Sequence, residues 1–237
     1  MSASSIKSAA LSTILIILVN LSLFANPVDT EDARVGIWTM DYEAALALAA
    51  DKDLPLLLNF TGSDWCGWCK LMDKSVFSQA EWQAYAKENV VLVTIDFPRD
   101  KSIVPDKFVA QNNQLKQQFG ITGFPTYIIV NSDGKEVLGK LGAGRNKTPQ
   151  IFISELQELL KYRDAEVEKF VKNLPEAQGA AYKEAVASLK SRKDELMQWI
   201  STRPIRNAEN EKIFNDYLAQ ISEAEAEIEE LEKLILQ

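Results

Sequence analysis

The alternation of apolar runs and amphipathic stretches in this 237-residue chain predicts an α/β fold, a mixed sheet flanked by helices and followed by a C-terminal α-helical hairpin. Three observations lead there. Short apolar runs at 54–60, 90–96 and 126–130 alternate with stretches of helical period, the pattern of strands buried on both faces. The turn Ser132-Asp133-Gly134-Lys135 joins the last of these runs to a further strand at 136–141, so that pair must be antiparallel. From about Arg163 onward strand-like runs stop and charged helical periodicity takes over.

The elements follow in order. Residues 34–38 read as a short strand, and Asp41 as the N-cap of a helix with Tyr42, Ala45, Leu46 and Ala49 on one face. The run at 54–60 is a buried strand, and the loop Thr61-Gly62-Ser63-Asp64 leads into a helix opened by Trp65-Cys66-Gly67-Trp68-Cys69. A second helical stretch covers 78–88, and the strand at 90–96 precedes a charged, proline-bounded insertion at 97–105. Phe108, Leu115 and Phe119 mark one face of a helix that stops at Gly120, a residue suited to the left-handed turn past a helix end. After the hairpin, residues 148–162 read as a helix with Phe152, Leu156 and Leu159 inward.

Two long helices are expected at 180–201 and 207–236. The first carries an apolar stripe of Tyr182, Val186, Leu189, Leu196 and Ile200, interrupted by Lys193. In the second, Phe214, Ile221, Ile228 and Ile235 repeat every seven residues, with Tyr217, Ala224 and Leu231 on companion positions. Residues 180–206 hold six basic and three acidic side chains, residues 207–237 two basic and nine acidic. Opposite signs joined by a Thr-Arg-Pro break favour an antiparallel, coiled-coil-like pairing. The pair needs a further surface, either the preceding domain through Val167, Phe170 and Val171 or a second copy of the chain through 180–236.

The N-terminus reads as an export signal at 1–25. Lys7 is the sole charge before Asp29, the apolar run at 11–24 falls short of the roughly 20 residues a spanning helix needs, and Ala25 stands at the cleavage position. Left uncleaved, the segment would be a membrane anchor facing the periplasm. Residues 26–33 read as a linker, 34–162 as one domain and 163–237 as a helical tail. A formal charge of −8 argues against nucleic acid and anionic membrane surfaces as partners.

Cys66 and Cys69 are the only cysteines, and the chain has no histidine. Two intervening residues at a helix start bring both sulfurs within disulfide reach, so one thiolate can attack a substrate disulfide and the other resolve the mixed intermediate. The alternative, half of a zinc site, would need carboxylates or a partner chain to complete four ligands. No metal and no cofactor beyond the Cys66–Cys69 disulfide is expected. The N-terminal end of a helix stabilises a thiolate, and Lys70 adds a nearby positive charge.

Over residues 34–162 the chain resembles the thioredoxin superfamily. The resemblance rests on a strand followed by Trp65-Cys66-Gly67-Trp68-Cys69-Lys70 and, about 56 residues later, Gly123-Phe124-Pro125-Thr126 before another strand. The subtype is similar to exported bacterial thioredoxin-like proteins and to the periplasmic C-terminal domain of the thiol-disulfide interchange protein. The resemblance implies Cys66 as the attacking thiolate, Cys69 as the resolving thiol and Pro125 as a cis-proline that bares the Phe124 backbone to an extended substrate. It implies modulating roles for Trp65, which would shield one side, and for Gly67, Trp68, Lys70, Phe124 and Thr126. Family members also keep a buried Asp on the strand before the motif to take the resolving thiol's proton. The nearest residue here is Asn59, which cannot act as a base, and Asp64 is the neighbouring acid.

These features imply an exported thiol-disulfide oxidoreductase, periplasmic or secreted, reducing or shuttling disulfides of exported proteins with electrons from an upstream donor. Without histidine the thiolate stabilisation of a Cys-x-His-Cys oxidant is absent, which favours a reductase or carrier. The alternatives are a disulfide isomerase dimerised by its tail, and a non-catalytic adaptor whose tail binds a partner.

Overall fold

The computed structural model describes residues 28–236, so the expected signal at 1–25 lies outside the described residues. Six strands form one sheet in the order β1-β2-β4-β3-β5-β6. They are β1 (Val28–Asp29), β2 (Trp38–Thr39), β3 (Leu56–Thr61), β4 (Val91–Asp96), β5 (Thr126–Val130) and β6 (Val137–Gly142). The pairs β1–β2, β2–β4 and β4–β3 are parallel, whereas β5 runs antiparallel to both β3 and β6. The sheet is therefore mixed, as the hairpin turn requires.

β3 shows why the sheet is buried twice. Leu57 faces one core with Trp82, Tyr127 and Phe152, while Leu56, Leu58 and Phe60 face another with Ala45, Val93 and Ile128. Side chains alternate across a strand with period two, so one continuous apolar run supplies both faces. The first core closes under α2 (Gly67–Met72), α3 (Ala80–Asn89) and α5 (Pro149–Leu160), and the second under α1 (Tyr42–Lys52) and α4 (Asp106–Gln118). Phe77 is the hub of the first, meeting Trp38, Trp82, Tyr127 and Phe152 edge-on at 5.2–5.4 Å between ring centres.

Two local expectations change. Of the strand expected at 34–38, only Trp38 extends into β2, because Gly36 turns the chain at φ +72° with its N–H on Val90 O. A Cβ on Gly36 would sit 2.5 Å from the backbone of Lys87, so only glycine passes there. Val28 and Asp29, within the segment read as a linker, instead add the parallel edge strand β1.

Beyond the sheet come α6 (Asp164–Val171), α7 (Glu176–Ser201) and α8 (Ala208–Ile235). α7 and α8 pack antiparallel around Tyr182, Ala185, Val186, Leu189, Ala224 and Ile228. Lys193, the break in the first stripe, pairs with Glu225 at 2.9 Å and lies over the Tyr162 ring. Val167, Phe170 and Val171 were the residues through which the tail would dock on the sheet domain, if it did not self-associate. They line the floor of the hairpin instead, since an eight-residue amphipathic helix must bury its face on whatever helix adjoins it. At the far end the seam stays open, with Ile200 and Phe214 exposed.

Candidate active site

Strand β3 delivers the cysteines. β3 ends at Thr61, and Gly62 lets the Trp65 indole fold back over the loop, for a Cβ there would stand 2.4 Å from the ring. The carbonyl of Gly62 accepts the N–H groups of Trp65 and Cys66. Cys66 then occupies the N-cap of α2 in extended conformation, and its Sγ accepts the N–H of Cys69 at 3.1 Å. The two cysteines form a disulfide with Cα atoms 5.2 Å apart. An orphan helix N–H thus already points at the Cys66 sulfur, where it would stabilise negative charge.

The roles implied for the pair would make the attacking Cys66 the exposed member and the resolving Cys69, one turn into the helix, the buried one. In the disulfide both are covered, at 5% and 6% exposure. Exposure therefore does not distinguish them in this state.

Aromatic rings roof one side. Trp65, 39% exposed, donates its indole N–H to Phe97 O at 2.9 Å and meets Phe124 edge-on. Phe97 stacks on Phe124 at 5.3 Å, Lys116 lies over both rings, and Arg99 lies over Trp65. Phe97 and Arg99 come from the charged insertion, whose closure onto the motif was not legible in the sequence. Trp68, 46% exposed, projects from the first turn of α2 beside Gly67, which has open space where a Cβ would be. The Phe124–Pro125 bond is cis, and Thr126 begins β5 with its hydroxyl donating to Gly123 O.

The charged residues sort by geometry. Lys70 Nζ donates to the backbone carbonyl of Asp64 at 2.6 Å. The Asp64 carboxylate accepts the N–H groups of Asp100 and Arg99, which hold it below the usual carboxylate range. Asp64 is therefore a loop clasp, poorly suited to take a proton. Asn59 lies in mid-strand, and its Oδ1 is buried with no hydrogen-bond partner among the described residues.

Two further acids were missed. Asp96 closes β4, 4% exposed, and accepts the backbone N–H of Ser63 at 2.9 Å and the Ser63 hydroxyl at 2.5 Å. Burial pushes its carboxyl above the ordinary range, against the pull of the Ser63 hydrogen bonds. Its signal in the sequence was a charge ending a six-residue apolar strand. Asp73, one turn beyond Cys69, lines a cavity of about 260 Å³ together with Asn59, Ser63, Cys69 and Lys70. Among the described residues no group of three His, Cys, Asp or Glu side chains is placed to hold a metal ion.

A dithiol that closes in this geometry can exchange with a protein disulfide through a mixed intermediate. Comparison with known proteins points the same way. The thioredoxin-like domain family matches residues 42–160. A protein of Chlamydia pneumoniae named disulfide bond reductase DsbH is 32% identical over 122 residues, 52% of this chain and 72% of that protein. The thioredoxin-related protein DsbJ of the same organism is 29% identical over 56% of this chain but only 38% of its own length. A solved structure titled DsbH oxidoreductase superposes with a TM-score of 0.50 at 30% identity, covering 56% of this chain and 88% of that one. With half its length matched and the cysteine pair seated at the helix start, this chain belongs to the thioredoxin-like family and is a thiol-disulfide oxidoreductase.

Proposed function

We propose that the protein is exported and reduces or shuttles disulfides of other exported proteins. Cys66 attacks, Cys69 resolves, and the backbone before Pro125 pairs with an extended substrate segment. Trp65, Trp68 and Phe124 line the approach. The observation that carries this reading is the disulfide at the start of α2, with Cys66 Sγ accepting the Cys69 N–H. Reduction would leave a thiolate facing the same donor, and the absence of histidine removes the imidazolium that would make the pair a powerful oxidant. The name of the similar DsbH protein, a disulfide bond reductase, supports the same direction. Export rests on the N-terminal pattern of Lys7, the apolar run and Ala25. The electron donor would be another dithiol protein. Residues 34–162 are the catalytic module and 163–237 a helical appendage whose seam serves assembly or partner binding.

The test is a redox titration of Cys66–Cys69 against glutathione. The expected potential lies nearer thioredoxin's, about −270 mV, than the about −120 mV of a strong oxidant. A value at the oxidising end would replace the reductase reading with an oxidase.

A further inference from the structure

Resolution of a mixed disulfide needs a base for Cys69, and on the strand before the motif this chain offers only an amide, Asn59. We infer that Asp96 takes the Cys69 proton, relayed by the hydroxyl of Ser63. The inference rests on the proposed roles of Cys66 and Cys69.

The geometry runs from one cavity to a buried carboxylate. Ser63 and Cys69 line the same cavity of about 260 Å³, large enough for water and edged by the polar side chains of Asn59, Thr61 and Lys70. The Ser63 hydroxyl and N–H both bind Asp96, so a serine that lines the cavity is tied directly to the acid. Asp96 is set by its own strand end and by α4, where Asn112 donates to its backbone carbonyl. The charged groups around it are Asp64, which repels its negative charge, and Lys101 and Asp106, which line a second cavity on its far side. Lys70 and Asp73 are the charges on the Cys69 side. A desolvated carboxylate is a better match to a thiol than a solvated one, because its proton affinity lies closer.

The step balances as follows. In the mixed disulfide Cys66 Sγ is bonded to the substrate sulfur. The Cys69 thiol proton passes through cavity water to Ser63 Oγ, while the Ser63 hydroxyl proton moves to Asp96, which becomes a neutral acid. The Cys69 thiolate attacks Cys66 Sγ, the Cys66–substrate bond breaks, and its electron pair leaves with the substrate sulfur as thiolate. The enzyme dithiol is oxidised and the substrate disulfide reduced. Asp96 later returns its proton to solvent.

The experiment mixes the reduced full-length protein with dithiobis-nitrobenzoate and follows release of the coloured thiolate. Attack by Cys66 releases the first equivalent, and closure by Cys69 releases the second. Asp96→Asn keeps the shape and can still hold Ser63, and Ser63→Ala removes the hydroxyl that bonds Asp96 while leaving the backbone N–H bond in place. Both should leave the first phase unchanged and slow the second on the order of tenfold to a hundredfold at neutral pH, with recovery in alkali. Second phases matching wild type at every pH, or slowed only by Asp73→Asn, overturn the relay. Failure of the wild-type protein to release a second equivalent would instead sink the proposed roles of the two cysteines.

Discussion

Asp96 works against the stability of the fold it serves. Its native carboxyl titrates above the unfolded value, chiefly because burial disfavours the charge. The native state therefore binds more protons than the unfolded chain between those two values, and stability falls as pH rises through that window. Replacing it by Asn removes the charge while an amide can still serve Ser63. Urea melts of Asp96→Asn and wild type should show the variant gaining relative stability from pH 4 to pH 7. A difference that is flat with pH would mean that the buried charge costs nothing. Asp96 was hidden at this scale, because sequence reasoning looked for the acid on the strand before the cysteines. It sits at the end of the neighbouring strand, and only the parallel register of Thr61 with Asp96 brings it to the loop.

At the scale of elements, α7 and α8 are unevenly zipped. Ile228 is fully buried between α7 and α8, whereas Phe214 at the open end stacks on Trp199 and stays exposed. Ile228→Ala should destabilise the hairpin by about 2–5 kcal/mol from lost burial and the cavity left behind. Phe214→Ala should lose no more than about 1.5 kcal/mol, the worth of an aromatic pair. Chemical denaturation followed by far-ultraviolet circular dichroism, which the long tail helices dominate, checks the ordering. Equal effects would mean that the seam closes along its whole length in solution. The heptad spacing announced which residues could meet, and it placed Tyr182, Val186, Leu189 and Ile228 correctly. It could not announce where the pairing opens, because Ile200 and Phe214 have the same chemistry as the residues that are covered.

Across the whole molecule, the join between the two parts is Arg163, the residue at which the composition changes. Its side chain, 3% exposed, binds the Asp53 carboxylate and carbonyl at the end of α1 and Asn131 at the end of β5. Lys161 adds a 2.9 Å pair with Glu232 of α8. The hairpin's own core, by contrast, is built from α6, α7 and α8. Removing residues 164–237 should thus leave a folded domain that still closes Cys66–Cys69. Adding Arg163→Ala to that shortened chain should cost about 1–3 kcal/mol, because Asn131 and the Asp53 carbonyl lose their donor. Urea midpoints and the dithiol titration read both. Loss of folding or of disulfide closure on removing the tail alone would make the tail part of the catalytic domain.

The local order of strands, helices and turn was written in the sequence, as was the placing of Cys66 at a helix start. Periodicity, glycine and capping chemistry act over a few residues and can be read along a line. Tertiary structure alone decided the company that those elements keep. The insertion at 97–105 folds back so that Phe97 and Arg99 cover Trp65, and Asp96 reaches Ser63 across a distance of 33 residues. The helix bearing Val167 turns to the hairpin and leaves the sheet to α5. The physical reason is common to all three. Ring stacking, buried carboxylate hydrogen bonds and apolar burial depend on which surfaces meet in space, and many pairings in one sequence are chemically equivalent until the sheet register selects among them.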